Sequence, residues 1–353
     1  MAVYFLNMKT FGRSNGSSAV GASAYRAGER FRDERTGRMY DHSERQDVMY
    51  KEILLPGKFA DDEIVWAKDR ATLWNAAEAA ETRKNARVAR EYLVALPVEL
   101  SPRQRIELVR GFSQELSDRY GFAMDIAVHA PRDFPGSDPR NFHGHLLATT
   151  REANIDGLGA KTTLDMNDAR RRELGLKPAV YEWLHVRERW ATVTNEALEE
   201  ARVAARVDHR SLQAQHVDRE PRLQIPRAAF EMERQGYRSV VAERLREEYE
   251  NRVRARAEKS AAAEPAAAEP ADAESAAADS AAKIVSTRPQ SLEEIRREAR
   301  ESWLRFKESR SQNESQGQGK GKGPSQGHLP SQGRAGAAAP VERGPARDDG
   351  LAY

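Results

Sequence analysis

Two apolar segments joined by a turn-rich loop constrain the fold of this chain most strongly. The segments are FAMDIAVHA (122–130) and FHGHLLATT (142–150), and the connection between them, PRDFPGSDPRN, is rich in Pro, Gly and Asp. Both segments have the apolar density of strands, and the turn-rich connection favours antiparallel pairing. We therefore predict an α/β fold with a central, mostly antiparallel sheet and helices packed mainly on one of its sides.

Three histidines lie in this strand pair. Residues two apart in a strand point to the same side of the sheet, so His143 and His145 project together, and pairing brings His129 beside them. Three imidazoles on one face suit a divalent cation that keeps open positions for a substrate oxygen. The alternative is that each histidine satisfies a separate local hydrogen bond.

The absence of cysteine narrows the chemistry further. With no cysteine in 353 residues, Cys-ligated zinc, a disulfide scaffold and a thiol nucleophile are all excluded. Three neutral histidines leave a divalent cation strongly Lewis acidic. A phosphodiester is a natural partner for such a cation, because the metal offsets charge that develops on the phosphate oxygens.

The pattern along the chain predicts an alternation of strands and helices up to about residue 220. AVYFLNM, KEILLPG and VAREYLVALPVEL read as strands, and a helix begins near Ser17 or Ser18 and continues through AYRAGERFRDE. Further helices are predicted over DDEIVWAKDRATLWNAAEAAETRK, over the segment from Ser101 to Gly121, and over KPAVYEWLHVRERWATVTNEALEEARV.

Composition divides the chain into a folded part and a charged C-terminal part. We predict a catalytic domain at 1–221, a charged helical extension at 222–260, an Ala/Glu/Pro linker at 261–288, a short helix at 289–310 and a disordered tail at 311–353. The N-terminus lacks the pattern of a signal peptide, and no apolar run is long enough to span a bilayer. We therefore expect a cytoplasmic protein without membrane insertion.

Tyr25 and Glu91 are the candidate catalytic residues outside the histidine group. Tyr25 follows a small, flexible Ser/Gly segment, where a large substrate could reach it, although a phenol needs help from a metal, cation or base to act as a nucleophile. The alternative is that Tyr25 is a structural residue of an amphipathic helix, with its ring half buried in the core. Glu91 shares one strand face with apolar residues, so it could accept the Tyr25 proton or orient a ligand. A salt bridge to Arg87 or Arg90 is the competing interpretation.

Taken together, these motifs resemble the MobA/MobL relaxases of mobilisable and conjugative plasmids, which are HUH endonucleases. The resemblance runs from Tyr25 through EILLP, RKNARVAREYLVALPVEL, NFHGHLL and VDHRSLQAQ, in that order, over roughly residues 1–221. It implies a metal-dependent enzyme that nicks one strand at an origin of transfer, stays joined to the 5′ end through phosphotyrosine and later rejoins the strand. By the same resemblance, Tyr25 is the nucleophile, Glu91 the acidic residue, and the three histidines bind Mg²⁺ or Mn²⁺.

A DNA-nicking role requires a basic surface for single-stranded DNA. The net charge is only +2, but basic residues recur beside every candidate site residue. We predict DNA contacts from Lys9, Arg13, Arg26, Arg83, Lys84, Arg87, Arg90, Arg132, Arg140 and Arg151. The C-terminal part could contact relaxosome accessory proteins or the secretion coupling protein.

Three other functions compete with this interpretation. One is another HUH endonuclease, such as a rolling-circle replication initiator, but these enzymes place the tyrosine downstream of the histidines. A second is a catalytically silent DNA-binding relative, which the intact Tyr25 and histidines disfavour. A third is a metallohydrolase that acts on small substrates. The basic clusters and the lack of a second set of metal ligands argue against this function.

Overall fold

The computed structural model describes residues 2–59, 63–132, 137–263 and 291–317, and the chain divides into two compact units between Ser211 and Leu212. The sequence-based proposal puts this boundary at 221. The predicted linker at 261–288 and tail at 311–353 lie almost entirely outside the described residues.

The first unit is built on a six-stranded sheet. Its strands are β1 (Leu6–Gly12), β4 (Val48–Leu54), β5 (Arg87–Ala95), β6 (Phe122–His129), β7 (His143–Asn154) and β8 (Gly157–Lys161), and a separate hairpin joins β2 (Arg30–Arg32) to β3 (Met39–Asp41). The order across the main sheet is β1-β5-β7-β6-β4, with β8 paired to β7. Every strand pairing in the described ranges is antiparallel, as predicted.

Helices lie against both faces of this sheet, which corrects the expectation of helices mainly on one side. They are α1 (Ala19–Ala27), α2 (Arg70–Ala79), α3 (Pro102–Tyr120), α4 (Asp168–Glu173) and α5 (Ala179–Glu200). One apolar core joins the sheet to α3 and α5 through residues such as Phe112 and Trp190. A second core joins the opposite face to α1 and α2 through Val20, Trp74 and Leu147.

Local signals set most helix boundaries where the sequence predicts them. Ser101 begins α3 with a complete capping box, and Gly121 ends it in the left-handed conformation at φ 75°. The helix at Ser18 is shorter than predicted, because Gly28 ends α1 at φ 62° and the following residues form the β2–β3 hairpin. The single helix predicted over 61–84 is also interrupted: Asp69 ends a short 3-10 turn and caps α2.

The second unit is helical. It contains α6 (Arg227–Arg234), α7 (Val240–Ala263) and α8 (Leu292–Gly317), which pack around Ala229, Val241, Ala242, Leu245 and Ala299. The helix predicted at 289–310 thus extends further, and the charged segment at 240–263 packs against neighbours. No helix in the described ranges combines the length and the hydropathy that crossing a bilayer would require.

Candidate metal centre and nucleophile

The three predicted histidines come together on one face of the sheet. β6 and β7 pair so that His129 lies directly opposite His143, and His145 lies opposite Ala127. All three side chains are buried, and one ligand nitrogen from each lies within 4.8 Å of the others. The alternation of side chains along the two strands is the cause, because these residues occupy the same face.

Hydrogen bonds at Nδ1 define the tautomers of His143 and His145. His143 Nδ1 donates to the Asn141 carbonyl at 2.9 Å, and His145 Nδ1 donates to Glu91 Oε1 at 2.7 Å. Each of these neutral rings therefore keeps a lone pair on Nε2, the form that binds a metal. His129 differs, since its Nδ1 lies 3.2 Å from Arg45 and its Nε2 lies 2.7 Å from the Arg26 carbonyl. A cation held by all three rings has to displace one of these two contacts.

Burial disfavours the protonated forms of His129 and His143. Burial, followed by electrostatic interactions with His145 and Arg45, lowers the pKa of His129 to about 2. It also lowers the pKa of His143 to about 3. Since a divalent cation competes with protons for imidazole nitrogens, His129 and His143 remain unprotonated donors down to acidic pH. The residues present therefore fit a divalent metal ion.

Glu91 belongs to the histidine group and not to the salt bridge with Arg87 or Arg90 that was the alternative. Its carboxylate contacts His145, Lys9 Nζ at 2.9 Å, and the guanidinium of Arg26. Burial raises the pKa of Glu91, but the charge of Arg26, the hydrogen bond from His145 and the charge of Lys9 outweigh burial and hold the pKa well below its usual range. Glu91 is thus an ionised carboxylate that fixes the orientation of His145.

Tyr25 lies on α1, and two buried carboxylates anchor this helix. Glu78 Oε1 accepts from the backbone N–H of Ala19 at 2.8 Å, at the helix start. Asp125 Oδ2 accepts from the Ser23 hydroxyl at 2.7 Å, two residues before Tyr25. Ser23 therefore ties the helix to β6, the strand that also carries His129. The ring of Tyr25 is largely buried, which agrees with the alternative of a partly buried helix residue. The groups around the ring, however, are polar and cationic.

Sequence reasoning missed three residues around this tyrosine. The edge of the His42 ring lies against the Tyr25 ring with centroids 5.2 Å apart. Arg45 Cζ lies 4.1 Å from the Tyr25 ring centroid, and Asp47 pairs with Arg45. All three belong to HSERQD (42–47), the connection between β3 and β4. The run of polar and charged residues in this segment is visible in the sequence, but only the pairing of β4 with β6 brings the segment close to the histidines.

The ten predicted DNA-contacting residues fall into different environments. Arg90 is buried on the opposite face from the histidines and pairs with Asp165 at 2.7 Å. A buried side chain in this position cannot contact DNA at the histidine face, so the prediction for Arg90 is wrong. Arg26 is buried beside Glu91, and Arg13 is held by the buried carboxylate of Glu78. The more accessible cations are Lys9, Arg83, Lys84, Arg87, Arg132, Arg140 and Arg151.

The accessible cations are not all close to the triad. Arg87 begins β5 at the end away from the histidines, about 13 Å along the strand from Glu91 at four residues of rise, and Arg83 and Lys84 precede it in the chain. Arg132 and Arg140 flank the loop between β6 and β7, and Arg132 contacts the Tyr25 hydroxyl at 3.4 Å. The site therefore has a near group of cations and a distant one.

Comparison with known proteins agrees with these motifs. The sequence model of the MobA/MobL family matches residues 17–235. The chain belongs to the MobA/MobL family. The match includes Tyr25, Glu91 and all three histidines, so the resemblance to MobA/MobL relaxases drawn from the motifs is confirmed at the level of the family.

Individual MobA/MobL relatives cover different shares of the chain. Mobilization protein MobL of Acidithiobacillus ferridurans is 34% identical over an alignment of 281 residues, and the match covers 74% of this chain and 71% of that protein. A probable mobilization protein MobA of Bifidobacterium longum is 32% identical over an alignment of 271 residues, and the match covers 67% of this chain and 45% of that protein. A solved structure described as the molecular basis of vancomycin resistance transfer in Staphylococcus aureus is 32% identical, covers 60% of this chain and 100% of its own, and has a TM-score of 0.47.

Proposed function

We propose that this protein is a plasmid mobilisation relaxase that nicks origin-of-transfer DNA by tyrosine transesterification. One observation carries the proposal: the Arg26 carbonyl, one residue after Tyr25, lies 2.7 Å from Nε2 of His129. The candidate nucleophile and the candidate metal centre are therefore adjacent parts of a single site. Neither the helix alone nor the sheet alone would support this chemistry.

The proposed reaction exchanges one phosphodiester bond for another. Tyr25 Oη attacks the scissile phosphorus and loses its proton to solvent, the new O–P bond forms, and the bond from phosphorus to the 3′ oxygen breaks. The leaving 3′ oxygen takes up a proton. A divalent ion held by the histidines would supply Lewis acidity toward a phosphate oxygen. Because the phosphotyrosine retains the bond energy, the reverse reaction rejoins the strand without ATP.

Glu91 serves this site as a positioning carboxylate. Its hydrogen bond to His145 Nδ1 sets the tautomer that places the lone pair on Nε2, and its ion pairs with Arg26 and Lys9 keep it charged. A base that accepts the phenolic proton would need to reach Tyr25 Oη. The contacts of Glu91 with the triad favour the orienting role.

Single-stranded DNA is the proposed substrate. Arg132 and Arg140 lie beside the loop that precedes His143, and Arg83 and Lys84 belong to the distant group of cations that precedes β5. Backbone phosphates bind such cations with release of counterions, so affinity should fall steeply as salt rises. An affinity that stays flat from low to moderate salt would argue against this surface.

The decisive experiment asks for a covalent adduct. A random-sequence pool of labelled single-stranded oligonucleotides is incubated with the protein and Mn²⁺, and protein-linked DNA is recovered under denaturing conditions and sequenced. We expect an adduct whose 5′ phosphate is attached to Tyr25, and Tyr25→Phe should abolish it. Tyr181→Phe, which changes an exposed tyrosine of the same unit, is the matched control and should leave the yield unchanged. Adduct formation by Tyr25→Phe would refute the assignment.

Metal dependence is tested separately from the nucleophile. His143→Ala should weaken cleavage in a way that excess Mn²⁺ partly restores, because two histidines and Glu91 remain. Full activity of the wild-type protein after chelation would argue against a metal role. The absence of any adduct from the wild-type pool would favour a catalytically silent DNA-binding relative.

A further inference from the structure

Two guanidinium groups contact Tyr25 from different directions. Arg45 Cζ lies 4.1 Å from the centroid of the tyrosine ring, and Arg45 Nη1 donates to the Tyr25 carbonyl at 2.8 Å. Arg132 Nη2 lies 3.4 Å from the phenolic Oη, the atom that would attack phosphorus. The Arg45 guanidinium thus holds the ring of Tyr25, and the Arg132 guanidinium contacts its reacting oxygen.

Asp47 binds both of these arginines. Its Oδ1 accepts from Arg45 Nε at 2.9 Å, and its Oδ2 accepts from Arg132 Nε at 2.8 Å. Burial raises the pKa of Asp47, but the hydrogen bonds from Arg45 and Arg132, together with the charge of Arg45, outweigh burial and leave the pKa below its usual range. Asp47 is therefore a carboxylate at neutral pH, and it neutralises part of the charge of two arginines that would otherwise repel each other.

The backbone fixes this carboxylate beside the metal-ligand strand. The N–H of Ala130 donates to the Asp47 carbonyl at 2.8 Å, and the next residue, Val48, pairs with His129 in the sheet. Arg45 Nη2 also lies 3.2 Å from His129 Nδ1. A continuous set of contacts therefore runs from Tyr25 through Arg45 to His129, with Asp47 at its centre.

We propose that Asp47 is a positioning residue for the nicking reaction, and that it acts by holding Arg132 against the Tyr25 oxygen and Arg45 against the Tyr25 ring. A guanidinium stays protonated throughout the physiological range. Held at Oη, Arg132 stabilises the negative charge that develops on this oxygen in both attack and religation. This inference rests on the proposed function. It adds stabilisation of the charge on the Tyr25 oxygen, which neither the histidines nor Glu91 provides.

The test compares Asp47→Asn with wild type on the oligonucleotide recovered from the pool. At saturating DNA we expect adduct formation to slow by about tenfold to a hundredfold, less than the loss of a direct donor to a developing charge, with KM unchanged. Glu107→Gln makes the same carboxylate-to-amide change in an exposed pair with Arg103 and should have no effect. An unchanged rate for Asp47→Asn, or a rise in KM alone, would overturn the proposal.

A double-mutant cycle tests the route of action. Arg132→Met removes the guanidinium and keeps the length of the side chain. If Asp47 acts largely through Arg132, then adding Asp47→Asn to Arg132→Met should slow the reaction far less than Asp47→Asn slows the wild type. If the double variant loses the full product of the two single-variant rate reductions, the proposal is contradicted.

If Asp47→Asn does not fold, Arg132→Lys provides the test. Lysine keeps the positive charge but lacks the forked guanidinium that contacts both Asp47 and Tyr25. A wild-type rate of adduct formation in Arg132→Lys would overturn the proposal.

A readout without DNA separates this inference from the function on which it rests. O-acetylation of Tyr25 by N-acetylimidazole, followed by peptide mass spectrometry, reports how tightly the ring is held. Asp47→Asn should raise the Tyr25 rate several-fold and leave that of exposed Tyr181 unchanged. If the wild type forms no adduct, the proposed function fails and this rate alone decides the role of Asp47. An unchanged Tyr25 rate would refute that role.

Discussion

Replacement of Asp125 by Asn should destabilise the first unit strongly, because this buried carboxylate joins three elements. It accepts from the Ser23 hydroxyl on α1 at 2.7 Å, from Arg70 Nε at 2.9 Å and from Trp74 Nε1 on α2 at 2.9 Å. Asparagine preserves the shape but carries no charge, and its amide NH₂ turns one acceptor position into a donor. At least one of the three donors then loses its partner inside the protein.

The expected loss follows from the charge and burial of this network. Hydrogen bonds to a charged group contribute about 1.5–3 kcal/mol each, and breaking a buried ion pair costs about 3–5 kcal/mol. Arg70 retains some access to water, so the lower end of that range applies, and we expect the free energy of unfolding to fall by about 3 kcal/mol. For a unit of this size, such a change corresponds to a fall in Tm of about 6–12 °C.

Urea unfolding of the full chain, followed by tryptophan fluorescence, measures this loss. Trp74 is fully buried and bonded to Asp125, so its emission reports on the region directly. Asp208→Asn is the matched control, because Asp208 pairs with Arg210 at an exposed position where the change should cost about 1 kcal/mol or less. A loss below about 1 kcal/mol for Asp125→Asn would refute the view that this carboxylate anchors α1 and α2.

Three further predictions concern the nucleophile helix and the histidine site. Gly21→Ala should destabilise the protein by about 1–3 kcal/mol despite the better helix propensity of alanine, because its Cβ would lie 2.7 Å from the Tyr40 ring; a raised Tm would contradict this. Glu91→Gln should weaken Mn²⁺ binding by about tenfold to a hundredfold in titration calorimetry, since His145 loses its charged partner, and an unchanged affinity would remove Glu91 from the site. The pKa of His143 is about 3 in the folded protein against 6.5 for ordinary histidine, so the unfolded chain binds the extra proton between these values. Stability measured in chelator should therefore be full above pH 6.5 and fall toward pH 3, by about 5 kcal/mol at most, and His143→Gln should flatten this slope.

Local patterns predicted much of the first unit. The period of two in FAMDIAVHA and FHGHLLATT indicated antiparallel strands with the histidines on one face, and the structure pairs His129 with His143 directly. Ser101 and Gly121 marked the ends of α3 because capping depends on nearby residues. Asp125 was within reach of the same reasoning, since it shares a strand face with His129 and stands out as a carboxylate in an apolar strand.

The errors arose where long-range pairing decides the outcome. The length of α1 was overestimated because the β2–β3 hairpin competes with helix beyond Gly28. Arg90 looked like a DNA contact by its position in the sequence, but alternation along β5 turns it to the opposite face from Glu91, where Asp165 is its partner.

The sequence by itself determined which residue types could act here, the antiparallel hairpin, and the common face of His143 and His145, because these follow from composition and from a side-chain period within single strands. Only the tertiary structure decided the partners of Glu91 and the gathering of Arg45, Asp47 and Tyr25. These depend on the strand order β1-β5-β7-β6-β4 and on α1 lying against the histidine face. Contacts between residues far apart in the chain are set by the packing of whole elements, and no local pattern encodes that packing.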